Sequence, residues 1–360
     1  MKRIILLGAT GSVGTGACDV VRAHLDDFQV VALAARTSRA AAEALALEFG
    51  ARAYVGDDAA LRAVEENDAD LVLVATVGLS GLAPTLAAIE KGIPVALATK
   101  EVLVAAGALV MSRAREKGVP IIPVDSEHSA IFQCLGNDAS RRAVSRLTLT
   151  ASGGPFLDGP ADLSTVTPAM AMRHPTWRMG PKVTIDSATM MNKGFEIVEA
   201  HWLFGVPYEA IDVVIHPESI VHSLVTFTDG ATLAQLSPPD MRLPIQYALS
   251  WPDRLPAERA KLDLPALGAL TFRAPDATRF PALDLVREAA AAGGTRLAAL
   301  SAADEAAVAR FLAGEIAFTD IVRLVADAVA STPASPCDSV ESVLAADAAA
   351  RAHVGPPRLR

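Results

Sequence analysis

The chain has 360 residues, 51% of them apolar and 20% charged, with a formal net charge of −9. That length supports two or three domains with cores of their own, and the acidic balance excludes a broad nucleic-acid surface. No window is long and apolar enough to span a membrane, and the three cysteines stand far apart in no metal-ligand spacing, so the expectation is a soluble cytoplasmic protein without a disulfide framework.

Ile4-Ile-Leu-Leu7 reads as a buried strand. It runs into Gly8-Ala-Thr10-Gly11-Ser12-Val13-Gly14 and a helix through Val21, the strand, turn and helix context of a dinucleotide fingerprint in a GxxGxxG variant. Glycines let a backbone approach a pyrophosphate, and a helix start supplies N–H groups; plain turn chemistry suits the same glycines. The second strand, residues 30–34, leads to Ala35-Arg36-Thr37-Ser38-Arg39, where an NAD enzyme usually carries an acid for the ribose hydroxyls. Two guanidiniums and two hydroxyls suit a 2′-phosphate and favour NADP, with an exposed basic turn as the alternative.

Buried runs at 71–75, 95–98 and 119–124 alternate with Ala-rich helical segments, which predicts an α/β fold with a doubly wound parallel sheet. Such sheets bind ligands at the carboxyl ends of their strands. Thr76-Val-Gly78, Thr99-Lys100-Glu101 and Asp125-Ser126-Glu127-His128 stand at those ends. Lys100 and Glu101 suit either a helix cap or a contact with nicotinamide or ribose. Asp125 and Glu127 repel each other unless protons or a cation intervene; with Glu196 they make three oxygen donors, the ligand set of a hard divalent ion, while a solvated turn of acids is the plainer reading.

Residues 147–151 alternate like a strand of a second sheet and lead to Ser152-Gly153-Gly154, a phosphate nest or a simple Gly-rich turn. His174-Pro-Thr176-Trp177-Arg-Met179-Gly180-Pro-Lys182 breaks every period, as expected of a lid over a ligand or of a loop with Trp177 in the core. Asp186 to Glu196 has the pattern of the first turns of a helix. At about 100° per residue, Asn192, Lys193 and Glu196 share one side, and Met191, Phe195, Val198 and Trp202 form a stripe on another. An amide, an ammonium and a carboxylate there suit an anionic ligand; a solvated face capped by Ser187 is the competing account. Residues 221–227 and 231–236 flank Asp229-Gly230 as a hairpin. Five of the seven histidines, His128, His174, His201, His216 and His222, fall in this middle third. From residue 281 onward, amphipathic helices at 283–292, 303–312, 320–330 and 339–352 predict a small helical domain with no chemistry of its own.

Leu7-Gly-Ala-Thr-Gly-Ser-Val-Gly14, Thr99-Lys-Glu101, Asp125-Ser-Glu-His128, Ala151-Ser-Gly-Gly-Pro-Phe156, His174-Pro-Thr-Trp177 and Asp186 through Glu196, in this order, strongly resemble the 1-deoxy-D-xylulose 5-phosphate reductoisomerase family. The resemblance implies an enzyme that takes a sugar phosphate, uses NADPH and a divalent cation (Mg²⁺, Mn²⁺ or Co²⁺), and forms a homodimer with no nucleic-acid or membrane partner. It implies cofactor contacts at Thr10, Gly11, Ser12 and Val13, to which Arg36, Thr37, Thr99, Lys100, Glu101 and Gly180 are added. Substrate contacts fall on Ser126, Glu127, Ser152, His174, Trp177, Ser187, Asn192, Lys193 and Glu196. The metal ligands are Asp125, Glu127 and Glu196, which with Lys193 and His128 make up the catalytic set. Thr37, Thr99 and Thr176 stand where the family commonly has Asn, and Thr lacks the amide's two donors. The expected division is a Rossmann-like NADPH domain at 1–122, an α+β catalytic and dimerisation domain at 123–254 with a lid at about 174–182, a linker at 255–280, and a helical bundle at 281–360.

Overall fold

The computed structural model describes residues 1–136, 141–160, 162–177, 179–257 and 261–357. Arg178 of the expected lid, residues 258–260 of the expected linker and the last three residues lie outside the described residues. The chain divides into two compact units, one of Met1–Val102, Val110–Phe132 and Asp240–Ala260, the other of Leu103–Leu109, Gln133–Pro239 and Lys261–Arg360.

The first unit is built on six parallel strands: β1 (Lys2–Leu7), β2 (Phe28–Ala35), β3 (Arg52–Val55), β4 (Leu71–Val74), β5 (Val95–Leu97) and β6 (Ile121–Pro123). Helices α1 (Ser12–Ala23), α2 (Arg39–Phe49), α3 (Ala59–Glu65), α4 (Leu82–Glu90), α5 (Lys100–Lys117) and α6 (Ser126–Leu135) follow them in turn. The strand order β3-β2-β1-β4-β5-β6 reverses between β1 and β4, which sets a ligand crevice beyond the ends of those two strands. Ile4, Ile5, Leu6 and Leu7 are all fully buried, as a strand covered on both faces by helices must be. The edge strand β3 carries no sequence signal, because in Arg52-Ala-Tyr-Val55 only Tyr54 is buried and Val55 is half-buried against the core.

Two glycines are dictated by close approach at the switch point. A Cβ on Gly8, which has φ of 79°, would lie 2.2 Å from the Ala75 carbonyl oxygen, and one on Gly14 would lie 2.2 Å from that of Gly8. The turn is thus pressed between the end of β4 and the start of α1, and only backbone fits there.

The second unit carries a mixed sheet of β7 (Val144–Ala151), β8 (Ile211–Ile215), β9 (Val221–Phe227) and β10 (Thr232–Leu236), in the order β10-β9-β7-β8. β7 and β8 run parallel and the other pairs antiparallel. The hairpin turns at Asp229-Gly230, where Gly230 has φ of 87° and Asp229 Oδ1 accepts the Ala231 amide at 2.9 Å. Helices Ala282–Ala292, Arg296–Leu312, Phe318–Ser331 and Val340–Val354 complete the unit. Arg296–Leu312 starts well before residue 303, since Leu297 to Ala303 is buried on all sides and so shows no amphipathic stripe.

The stretch 186–196 is not the start of one helix. Residues 186–189 close the helix Pro181–Thr189, and a second helix, Met191–Phe204, begins beyond Met190, which has φ of 66°. Gly180 and Pro181 supply the earlier start, with Pro at the first helical position. Thr189 Oγ1 then donates to the Asp186 carbonyl at 3.2 Å and accepts the Met191 amide at 3.3 Å, which helps to end one ladder and start the next. Ser187 therefore sits in a last turn and caps nothing. Among the described residues no helix is long and apolar enough to cross a membrane.

Candidate active site

At the switch point, α1 opens at Ser12 behind Gly11, which is extended and offers no side-chain cap. Gly11 and Ser12 are exposed, Thr10 and Val13 half-buried, so the first N–H groups of α1 are left for solvent or an anion. Beyond β2, Arg36 and Thr37 are exposed. Arg39 pairs with Glu43 at 3.3 Å, whereas Arg36 has no ion pair among the described residues. Thr99, buried, spends its hydroxyl on the Thr76 carbonyl at 2.7 Å and so joins the ends of β4 and β5. That bond is internal to the turn between the two strand ends.

Lys100 starts α5 yet is buried, and its ammonium lies 2.7 Å from Asp125 Oδ2 just past β6. Both side chains are close to nine-tenths buried, at 10% and 13% exposure, so this is an ion pair in a low dielectric. His128, fully buried on the first turn of α6, has Nδ1 at 3.8 Å from the same Asp125 oxygen. Ser126 Oγ donates to Glu127 Oε2. Two acids, one ammonium and one imidazole therefore meet at the carboxyl edge of the sheet.

In the second unit, β7 ends at Ala151 and feeds Ser152-Gly153-Gly154, with φ of 85° and 64° at the glycines. Ser152 Oγ accepts the Gly154 amide at 3.2 Å. His174 Nδ1 accepts two backbone amides, from Thr176 at 3.2 Å and Trp177 at 2.9 Å. An amide only donates, so in the neutral ring the proton sits on Nε2. That Nε2 is 3.0 Å from Ser152 Oγ and 3.1 Å from Ser187 Oγ, and it donates to them. Neither serine can then give its own proton to the ring, and both hydroxyls are turned into donors for a third group. Burial holds the His174 pKa below the ordinary imidazole value, which maintains this neutral form. Trp177 is half-buried with its ring 6.3 Å from that of His222, and Gly180 is exposed at the start of the next helix.

On the helix Met191–Phe204, Asn192 Nδ2 donates to Glu196 Oε1 at 2.5 Å and Lys193 Nζ donates to Glu196 Oε2. Lys193 and Glu196 are 4% and 1% exposed, so the polar side expected from the 3.6 period is buried with its charges matched. The remaining histidines of the middle third are structural: His216 Nε2 accepts the Ile220 and Val221 amides, His201 hydrogen-bonds the Val206 carbonyl, and His222 donates to the Ser237 carbonyl.

Comparison with known proteins settles the family. A 1-deoxy-D-xylulose 5-phosphate reductoisomerase model matches residues 4–54 and 42–107, the C-terminal domain model of the same enzyme matches 121–204, and a DXP reductoisomerase C-terminal domain model matches 236–353. The 1-deoxy-D-xylulose 5-phosphate reductoisomerase of Ralstonia pickettii is 49% identical over 98% of this chain and 96% of its own. This chain belongs to the 1-deoxy-D-xylulose 5-phosphate reductoisomerase family. The reductoisomerase of Anaeromyxobacter sp. is 50% identical over 96% of this chain and 94% of its own. The Zymomonas mobilis reductoisomerase in complex with NADPH superposes with a TM-score of 0.90 at 42% identity, covering 98% of each chain. A DOX-P reductoisomerase in complex with NADPH, fosmidomycin and magnesium gives a TM-score of 0.93 at 38% identity over 98% of this chain and 97% of that one. Both reductoisomerase folds thus share the parallel sheet, the mixed sheet and the C-terminal helices described above.

Sequence reasoning gave no role to three charged groups that meet in the second unit, Lys182, Asp186 and Asp304. Lys182 pairs with Asp186 and with Asp304, the latter from the C-terminal helices that were expected to carry no chemistry. The Lys182 and Asp186 spacing of one helical turn was a usable signal; the Asp304 partner, far along the chain, had none.

Proposed function

We propose that the chain converts 1-deoxy-D-xylulose 5-phosphate to 2-C-methyl-D-erythritol 4-phosphate, using NADPH and a divalent cation, in isoprenoid precursor synthesis. One observation carries this reading: every candidate site residue falls inside the segments matched to the reductoisomerase models. The enzyme is an NADP-dependent oxidoreductase, and its isomerase activity is the skeletal rearrangement that precedes reduction. The proposal includes a cytoplasmic homodimer, the domain division at 122, 254 and 280, and acceptance of Mn²⁺ or Co²⁺ beside Mg²⁺.

The residues present fit both groups. Asp125, Glu127 and Glu196 are hard oxygen donors whose carboxylates each draw a cation or hydroxyl in this structure, namely Lys100, Ser126 and Lys193, as expected of sites that favour positive charge. The glycine turn and the open start of α1 fit a pyrophosphate. When bound, the cation supplies Lewis-acid polarisation of the ketone and its neighbouring hydroxyl, and NADPH supplies hydride for the branched aldehyde.

The chain's own groups bind, orient and exclude. Ser152 and Ser187, with protons turned outward by His174, and Asn192 and Lys193 hold the substrate, chiefly its phosphate. An ammonium has three donors and an amide nitrogen two, so Lys193 and Asn192 serve Glu196 and an anion together. Ser126 lies against the substrate hydroxyls. His128 and Lys100 keep Asp125 oriented. Trp177, tied through its amide to His174, covers the site and keeps water from the reacting fragments.

Incubation with NADPH, Mg²⁺ and 1-deoxy-D-xylulose 5-phosphate should consume NADPH and yield the branched tetrol phosphate; NADPH oxidation without a branched product would leave only an ordinary dehydrogenase. In the same assay, Arg36→Ala should raise the NADPH KM about tenfold or more, the loss expected for one charge-assisted contact, and leave the substrate KM unchanged. Equal use of NADH and NADPH by the unaltered chain would refute the 2′-phosphate assignment.

A further inference from the structure

Lys182 is the second residue of the helix Pro181–Thr189, and its ammonium meets three elements at once. It lies 2.6 Å from Asp186 Oδ2 on its own helix, 3.1 Å from Asp304 Oδ2 on the helix Arg296–Leu312, and 4.6 Å from the centre of the Phe195 ring on the helix Met191–Phe204. The Asp186 and Asp304 side chains are 2% and 0% exposed.

Local helix energetics do not account for this lysine. A cation in a first turn faces the positive end of the helix dipole, and a base placed four residues before an acid is the weaker of the two orientations. Net stability does not account for it either, because buried ion pairs are commonly no better than apolar groups of the same volume, although a single such arrangement fixes geometry.

What the ammonium holds is the elbow at Met190. One arm of the elbow carries Ser187; the other carries Asn192, Lys193 and Glu196. Met190 is in the left-handed region, where a side chain is strained, so the angle persists only if its surroundings impose it. Asp186 precedes Ser187, Phe195 precedes Glu196, and Asp304 ties the ammonium that touches both arms to the helix Arg296–Leu312. We propose that Lys182, Asp186 and Asp304 are positioning residues for the reaction, a three-way pin through which the C-terminal helices set the angle between the two helices that carry substrate-binding groups. The proposal rests on the functional reading given above.

The test uses the full chain with Lys182→Met, Lys182→Arg and Asp304→Asn, assayed with NADPH, Mg²⁺ and 1-deoxy-D-xylulose 5-phosphate and followed in parallel by hydrogen exchange. Displacing the arms should cost kcat about a hundredfold and raise the sugar phosphate KM, with the NADPH KM unchanged. Amides of residues 182–193 should exchange faster in Lys182→Met, and Lys182→Arg should restore both readouts. Lower thermal stability with both KM values unaltered would mean a purely structural pair and overturns the proposal. If Asp304→Asn does not fold, Lys182→Gln carries the same comparison. A wild type without turnover refutes the functional reading alone; exchange at 182–193 then decides the positioning role, and unchanged protection in Lys182→Met overturns it.

Discussion

Glu196→Gln is expected to fold and to lose about a thousandfold in kcat at fixed Mg²⁺, with part of the activity returning as Mg²⁺ is raised. The expectation follows from burial. Glu196 is 1% exposed and its two oxygens are already taken by the Asn192 amide and the Lys193 ammonium. Gln keeps the shape and one acceptor but removes the charge, so the Lys193 ammonium loses this carboxylate and the cation site proposed above loses one of its three acids. Lewis-acid stabilisation is worth several kcal/mol, and about 4 kcal/mol is a thousandfold. Asp125→Asn should behave alike, with Lys100 losing the Asp125 carboxylate at 2.7 Å. Full wild-type activity in excess chelator, or a variant whose Mg²⁺ dependence is unchanged, would sink the assignment of these acids to a metal.

The first unit was largely legible in the sequence because parallel strands covered on both faces are short apolar runs, and Ile4 to Leu7 or Leu71 to Val74 contain nothing else. β3 escaped because an edge strand with one buried side chain has no such run. Local carboxyl-end motifs such as Asp125-Ser-Glu127 could be read as a cluster of acids, but not that Lys100 neutralises Asp125, since that pair joins the ends of two different strands. The elbow at Met190 was hidden for a different reason. Both arms keep an apolar stripe, so periodicity passes through the break without a mark; the turn is made by Thr189 hydrogen bonds and a left-handed methionine, neither of which a 3.6 period detects. Asp304 is the extreme case: in the Asp304-Glu305 pair of an Ala-rich helix nothing marks it as the inward-facing acid, and only the fold reveals that it is fully buried against Lys182.

His174→Phe should lower kcat/KM for the sugar phosphate by about a hundredfold or more while sparing the NADPH KM. Phe keeps a ring of similar size but takes away the acceptor for the Thr176 and Trp177 amides and the donor for Ser152 and Ser187. Each unsatisfied polar group costs about 1–3 kcal/mol, and the serine hydroxyls become free to rotate away from an anion. The same geometry fixes a pH dependence. The folded chain holds His174 neutral below the ordinary value of 6.5, because burial opposes the charged ring. The unfolded chain therefore binds the proton first as pH falls, so the contribution of His174 is complete above 6.5 and is lost as pH falls through the lower folded value. Protonation must occur at Nδ1, where it breaks both amide bonds and releases the Trp177 backbone. Wild-type enzyme should consequently show an acid limb in kcat/KM for the sugar phosphate that His174→Phe lacks, followed together with Trp177 fluorescence. An acid limb of the same shape in the variant would assign the titration to another group and detach His174 from the placing of the Trp177 backbone.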